Sequence, residues 1–222
     1  MSFSVALDGP SASGKSTVAK LIAKQLGLVH IDTGAMYRAV TYLCILNGVD
    51  PRDEKKAVGL LSKADIRLFP DGRVFLNGND ISKEIRANAV SDNVSYIASY
   101  KDVRLFLIDK QREMAQTQSV VMDGRDIGTY VLPEADVKIY QVASVETRAK
   151  RRYEENISKN ITTSYDDVLS NLKKRDYIDS HRSFDPLMPA PDAVILDTSD
   201  LSIEQVVKAC VDIINKKIGK KA

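Results

Sequence analysis

Short apolar runs alternate with longer amphipathic stretches along most of this chain. "SFSVALD" (2–8) reads as a buried strand. "KSTVAKLIAKQLG" then sets Val18, Leu21, Ile22 and Leu26 on one helical face, with Gly27 as the stop. "LVHID" gives a second strand, and "TGAMYRAVTYLCILNG" a second helix ended by Gly48. Farther on, "SVVMDG", "DVKIYQVA" and "DAVILDTS" are the short apolar runs expected of buried parallel strands. Two strongly charged helical stretches, "SVETRAKRRYEENISKN" and "SYDDVLSNLKKRDYIDSH", and a closing amphipathic helix, "SIEQVVKACVDIINKKI", complete the alternation. Five strands alternating with helices predict an α/β fold, a five-stranded parallel sheet covered on both faces.

The pattern breaks once. From Asp65, "DIRLFPDGRVFLNG" alternates apolar and polar residues around Pro70-Asp71-Gly72, the mark of a hairpin. "NDISKEI" offers a further strand, and helical patterns follow over 87–99 and 103–116. A β-rich block inside an alternating chain reads as an inserted substrate domain. The short tail "KKIGKKA" is expected to fray.

Composition adds mainly exclusions. A chain of 222 residues suits one α/β core with an insertion or two. Its 32 basic and 30 acidic residues give a net charge of +2, too even for a dedicated nucleic-acid binder. No apolar run approaches the ~18 residues that span a membrane. A core strand beginning near Phe3 leaves no space for a signal peptide, so the expectation is a cytoplasmic protein, with a monomer as the default. Cys44 and Cys210 lie in helical apolar patterns and read as reduced core residues. The isolated His30 and His181 lack zinc-ligand spacing.

Between the first strand and helix stands "GPSASGKST": Gly9, four residues, then Gly14-Lys15-Ser16. Small residues let successive backbone N–H groups turn inward as an anion nest, and the following helix adds its positive end. Lys15 can reach terminal phosphates, and the Ser16 hydroxyl can ligate Mg²⁺. A glycine-rich helix cap would look similar in isolation, but strand, loop and helix in this order favour a nucleotide.

Three further constellations narrow the chemistry. In "DTGAMYR", Asp32-Thr33-Gly34 ends a strand and Arg38 sits one turn into a helix, where a hydroxyl and a guanidinium could hold a second phosphate. A Thr33 helix cap with a solvated Arg38 reads equally well there. In "VVMDGRDIGT", Asp123 ends an apolar strand, where a carboxylate could act on Mg²⁺, and Arg125 and Asp126 follow on a loop. Asp197, ending "AVILD", is a lesser magnesium candidate. Third come the arginines: Arg148, Arg151 and Arg152 on one helical stretch, and Arg175 and Arg182 sharing a face with Asp179. Lys150, Lys173 and Lys174 read as plain solvated charge. Transfer between two nucleotides gathers phosphate charge that arginine forks can grip.

From "DGPSASGKST" through "DTGAMYRA", "MDGRDIGT" and "RDYIDSHR" to "PLMPAPDAVILDTS", the chain resembles the bacterial-type cytidylate kinase family nearly end to end. The resemblance implies a P-loop kinase core over 1–62 and 100–222, a helical lid over about 148–164 and a CMP-binding insertion over about 63–99. It implies transfer of the γ-phosphoryl group of MgATP to CMP or dCMP. Gly9, Pro10, Ser11, Ala12, Ser13, Gly14, Lys15, Ser16 and Thr17 would hold the ATP phosphates, with Ser16 and Asp123 at the metal. Arg148, Arg151 and Arg152 resemble lid arginines that close over the transferring group. Thr33, Arg38, Arg125 and Arg182 would surround the acceptor phosphate. Ser95, Arg104 and Asp126 would face the cytosine, and Arg175 with Asp179 the ribose. Lys15, Arg125, Arg152 and Arg182 would stabilise the transition state.

Other classes fit less well. A kinase for another monophosphate or a metabolite hydroxyl is the nearest rival, and the arginine supply favours a phosphorylated acceptor. A GTP-binding switch would carry an Asn-Lys-x-Asp motif, which is missing. RNA binding is disfavoured by near-neutral charge and 6% aromatic residues.

Overall fold

The computed structural model describes residues 3–219. β1 (Ser4–Asp8) leads into α1 (Lys15–Leu26), β2 (Val29–Asp32) and α2 (Thr33–Leu46). After α3 (Glu54–Gly59) come three short strands, β3 (Ile66–Leu68), β4 (Val74–Leu76) and β5 (Asn79–Asp80). The short α4 (Asn88–Ser91) and α5 (Val94–Ile97) precede the long α6 (Lys101–Thr117). The chain then resumes its alternation with β6 (Val120–Gly124), β7 (Val137–Val142), α7 (Val145–Ser158), α8 (Tyr165–His181), β8 (Val194–Asp197) and α9 (Ile203–Ile218).

The main sheet is five-stranded in the order β2-β6-β1-β7-β8, and every pairing in it is parallel. β1 lies at its centre, so Val5, Ala6 and Leu7 are fully buried, which is why the run is apolar without alternation. α1 and α9 cover one face, packing Val18, Ile22, Val206, Cys210 and Ile214 against Val5, Leu7 and Val121. On the other face Ile108 and Ala115 of α6 meet Ala6, Ile31 and Met122. Cys44 and Cys210 are buried free thiols, as their apolar settings predict.

The β3-β4-β5 sheet is antiparallel. Its inward residues Ile66, Val74 and Leu76 share a core with Met36 and Val40 of α2 and Leu107 of α6. The insertion therefore rests on the two helices that also support the main sheet.

Four local expectations change. Leu21 is 40% exposed, because the buried stripe of α1 runs through Val18, Ala19, Ile22 and Ala23 and leaves Leu21 at its margin. The helix expected over 87–99 is split into α4 and α5. Asp92 and Asn93 stand at the break, where Asp92 accepts from Asn171 on α8 at 2.8 Å. Short polar side chains of this kind compete with helix hydrogen bonds. Third, α3 falls in a stretch assigned no element from sequence. Fourth, the segment after Asp126 closes a π-helical turn, Ile127–Val131. As for the termini, α9 continues through Ile218, and residue 2 and residues 220–222, parts of the expected first strand and tail, lie outside the described residues.

Candidate active site

β1 delivers the chain to the middle of the sheet edge, beside the point where strand order diverges towards β6 and β7, the usual ligand crevice of such sheets. Gly9 has φ +147°, and a Cβ there would meet the Gln141 carbonyl oxygen at 2.0 Å, so no other residue fits. The loop is braced from outside. Arg148 donates to Ser11 O at 3.0 Å, the Gln141 amide holds Ser13 O, and Arg125 reaches Ser11 Oγ at 2.8 Å. Lys15, only 4% exposed, donates from Nζ to Pro10 O at 2.7 Å and to Ser13 Oγ at 3.2 Å. Burial, then the Arg125 guanidinium, lower its pKa well below the ordinary lysine value.

At the start of α1, Ser16 donates from Oγ to Asp123 Oδ2 at 2.7 Å. His30, one strand away on β2, meets the other carboxylate oxygen at 2.7 Å. Burial lowers the His30 pKa, but the Asp123 carboxylate outweighs it and the net shift is upward. A hydroxyl and a carboxylate, both hard oxygen donors, thus stand together at the phosphate loop. That set fits Mg²⁺, which takes few protein ligands and completes its shell with phosphate and water. Asp197 is a different case: it is exposed at the end of edge strand β8, and its Oδ1 accepts from Ser199. β1 and β7 separate its strand from β6, which takes it out of contention for the metal.

The loop opens on a cleft of about 1360 Å³ that is also lined by Arg38, Arg104, Arg125, Arg175 and Arg182, a wall of arginines. Asp32, not Thr33, caps α2, accepting from Ala35 N at 2.9 Å. The Thr33 hydroxyl instead donates to Asp123 O at 2.7 Å. Arg38 is not solvated: it is 8% exposed and donates to Ile85 O at 3.0 Å and Ser91 Oγ at 2.9 Å. Burial and the neighbouring Arg175, Arg86 and Arg152 lower its pKa well below the ordinary arginine value. Arg175, buried on α8, reaches Ser95 Oγ at 3.5 Å, and burial lowers its pKa to about 10. Arg125 Nε donates to Asp179 Oδ2 at 3.1 Å. Burial raises the Asp179 pKa, but Arg125, Arg175 and Arg182 outweigh it and hold the carboxyl below the ordinary range.

Farther along the cleft, Arg104 is completely buried and pairs with Asp126. Arg182 approaches the second Asp126 oxygen at 3.4 Å, and Asp185 lies 3.6 Å from Arg104. Ser95, Arg104 and Asp126 all line the cleft, and of the three Arg104 and Asp126 are in direct contact.

The three α7 arginines part company. Arg151 and Arg152 line the cleft, Arg151 donating to Thr198 O at 2.6 Å and Arg152 pairing with Glu155 at 3.0 Å. Arg148 is instead buried under the phosphate loop, bonded to Ala143 O and Ser11 O and paired with Asp176 at 2.7 Å. Arg148 therefore braces the loop at Ser11 rather than lining the cleft.

Sequence reasoning missed several contributors. Asp8 accepts from Ile127 N and Gly128 N, both at 2.8 Å, and so pins the π-helical turn that follows Asp126. Burial raises its pKa to about 7 against the pull of those two N–H groups. Gln141, His30 and Asp185 act through contacts between distant strands and loops. Asp8 directly precedes Gly9, which was its one visible signal.

A model of the cytidylate kinase family matches residues 5–216. A cytidylate kinase of Leuconostoc mesenteroides subsp. mesenteroides is 50% identical over 220 residues, covering 98% of each chain. One from Bacillus subtilis is 46% identical over 217 residues, covering 96% of this chain and 97% of the relative. Among solved structures, a gluconokinase from Sinorhizobium meliloti 1021 superposes with a TM-score of 0.52 at 14% identity, covering 96% of this chain and 92% of that one. That likeness speaks for the α/β fold alone. The family match and the two relatives span nearly the whole chain, and the chain belongs to the cytidylate kinase family.

Proposed function

We infer that the protein transfers the γ-phosphoryl group of MgATP to CMP or dCMP, giving ADP and CDP or dCDP, as a monomeric enzyme of cytoplasmic pyrimidine nucleotide metabolism. One observation carries the reading beyond family membership. Arg38, buried, donates only to the neutral oxygens of Ile85 and Ser91 and is crowded by further arginines. Uncompensated buried charge is costly, so this wall suits a ligand that brings its own negative charge. It lines the same cleft as the phosphate loop, so one cleft has room for both a donor and an acceptor phosphate, the proximity that transfer needs.

In this reading residues 9–17 cradle the ATP phosphates, and Lys15 and Arg152 offset charge on the transferring group. Thr33, Arg38, Arg125 and Arg182 seat the acceptor phosphate, and Arg175 and Asp179 the ribose. Ser16 and Asp123 would hold Mg²⁺, which would supply positive charge against the charge that develops on the phosphates. Asp126 accepts from the cytosine amino group, while Arg104 and Ser95 serve N3 and O2. The insertion over 63–99 covers the acceptor, and the lid over 148–164 brings Arg151 and Arg152 down and excludes water. Arg148 contributes by holding the loop.

A thermal-shift panel tests this, since ligands stabilise the state they bind. ATP and CMP should each raise Tm, with GTP, AMP and a short RNA doing so weakly or not at all. Stabilisation by RNA or AMP without CMP would overturn the reading.

A further inference from the structure

We propose that His30 is a positioning residue for the reaction: its Nε2–H fixes the Asp123 carboxylate, from the side opposite Ser16, in the orientation that serves the magnesium–nucleotide complex. The proposal rests on the reading of Ser16 and Asp123 as the metal residues.

The geometry is direct. Asp123 is 3% exposed, and its two oxygens are engaged from two different elements. Oδ2 accepts from Ser16 Oγ on α1 at 2.7 Å, and Oδ1 meets His30 Nε2 at 2.7 Å. A carboxylate accepts here, so Nε2 carries the hydrogen. Ser16 can keep donating to Oδ2 while its lone pairs face a cation, but one contact leaves the carboxylate free to turn about its own axis. The second, from the facing strand, removes that freedom. His30 and Asp123 are set by sheet register: β2 pairs with β6 in parallel, with His30 opposite Val121 and Asp32 opposite Asp123. The side chain lies over the C-terminal end of β6 and lines the same cleft as the phosphate loop. Had His30 been ordinary strand packing, an apolar residue would serve, yet the ring spends its nitrogen on the one carboxylate next to Ser16. Groups that hold a metal-binding carboxylate by hydrogen bond commonly change metal affinity or activity by about 10–100-fold when removed.

The test measures MgADP, ADP in EDTA, and CMP binding by titration calorimetry, with no turnover involved. His30→Leu should weaken MgADP about tenfold while ADP in EDTA and CMP bind as in wild type. His30→Gln, whose Nε2 can occupy the imidazole Nε2 position, should restore MgADP affinity to within about threefold of wild type. If the leucine variant does not fold, His30→Asn, polar but a methylene too short, replaces it with the same expectation. Equal weakening of all three ligands, or no change in MgADP, overturns the proposal. Asp123→Asn separates it from its foundation. If that variant loses the Mg²⁺-dependent gain in ADP affinity and His30→Leu does not, the positioning role alone falls. If Asp123→Asn keeps the gain, the metal reading falls and the proposal falls with it.

Discussion

Lys15 keeps its ammonium on loop oxygens at 4% exposure, poised over the nest where phosphate oxygens would sit. Removing it takes away charge stabilisation that only the transition state uses fully. Lys15→Ala should therefore lower kcat about a hundredfold or more with a near-normal Tm, and a folded variant with near-normal kcat would refute the loop assignment. Asp126 carries a double load. It pairs with the fully buried Arg104 and approaches Arg182 at 3.4 Å, an arrangement that ties α6 to the end of β6. Asp126→Asn should thus lower Tm by about 5–10 °C, because it leaves buried guanidinium charge undercompensated. If the same carboxylate reads the cytosine amino group, the kcat/KM ratio of CMP to UMP should also narrow, since an amide can donate to O4 of uracil. A fall in Tm with an unchanged ratio would reduce Asp126 to an ion pair. Much of this site was legible because its signals are local: the loop spacing, Arg38 one turn past Asp32-Thr33, and Arg125 beside Asp123. His30 was not, because it meets Asp123 across 93 residues and a lone histidine has no spacing to read.

At the scale of elements, the apolar runs marked all five core strands, since each is short and bounded by loop residues, although only the inner three, β6, β1 and β7, are buried along most of their length. What escaped were elements made by partners far away in sequence. The π-helical turn Ile127–Val131 exists because Asp8, 120 residues from Gly128, accepts two of its N–H groups. At the break between α4 and α5, Asp92 likewise takes its partner from far away, accepting from Asn171. Asp8 gives this long-range anchor a pH signature. Its folded pKa is about 7 against an ordinary 3.8, so near pH 5 the folded state binds a proton that the unfolded chain has released. Stability from this group is complete below about 3.8 and is lost as pH rises towards 7. Comparing Tm of wild type with Asp8→Asn from pH 5 to 8, the wild-type value should fall relative to the variant as pH increases and level off above 7. A constant difference across that range would contradict a raised Asp8.

On the scale of the whole molecule, two anion sites face one cleft: a loop nest at the end of β1 and an arginine wall built from α2, α6, α8 and the turn after β6. Neither is sufficient alone. In the proposed reading the loop takes a nucleoside triphosphate, the wall a phosphorylated acceptor, and the Arg104–Asp126–Ser95 group a base with an amino donor beside two acceptors. The insertion and α8 are in contact through Asn171, whose side-chain amide donates to Asp92 Oδ1 at 2.8 Å. Steady-state ADP production across CMP, dCMP, UMP and AMP, at fixed MgATP, tests the combination most directly. The account predicts turnover with CMP or dCMP at a kcat/KM at least about tenfold above UMP and AMP, the discrimination expected from an unpaired buried group. Equal use of UMP and CMP, or turnover of AMP alone, would contradict it.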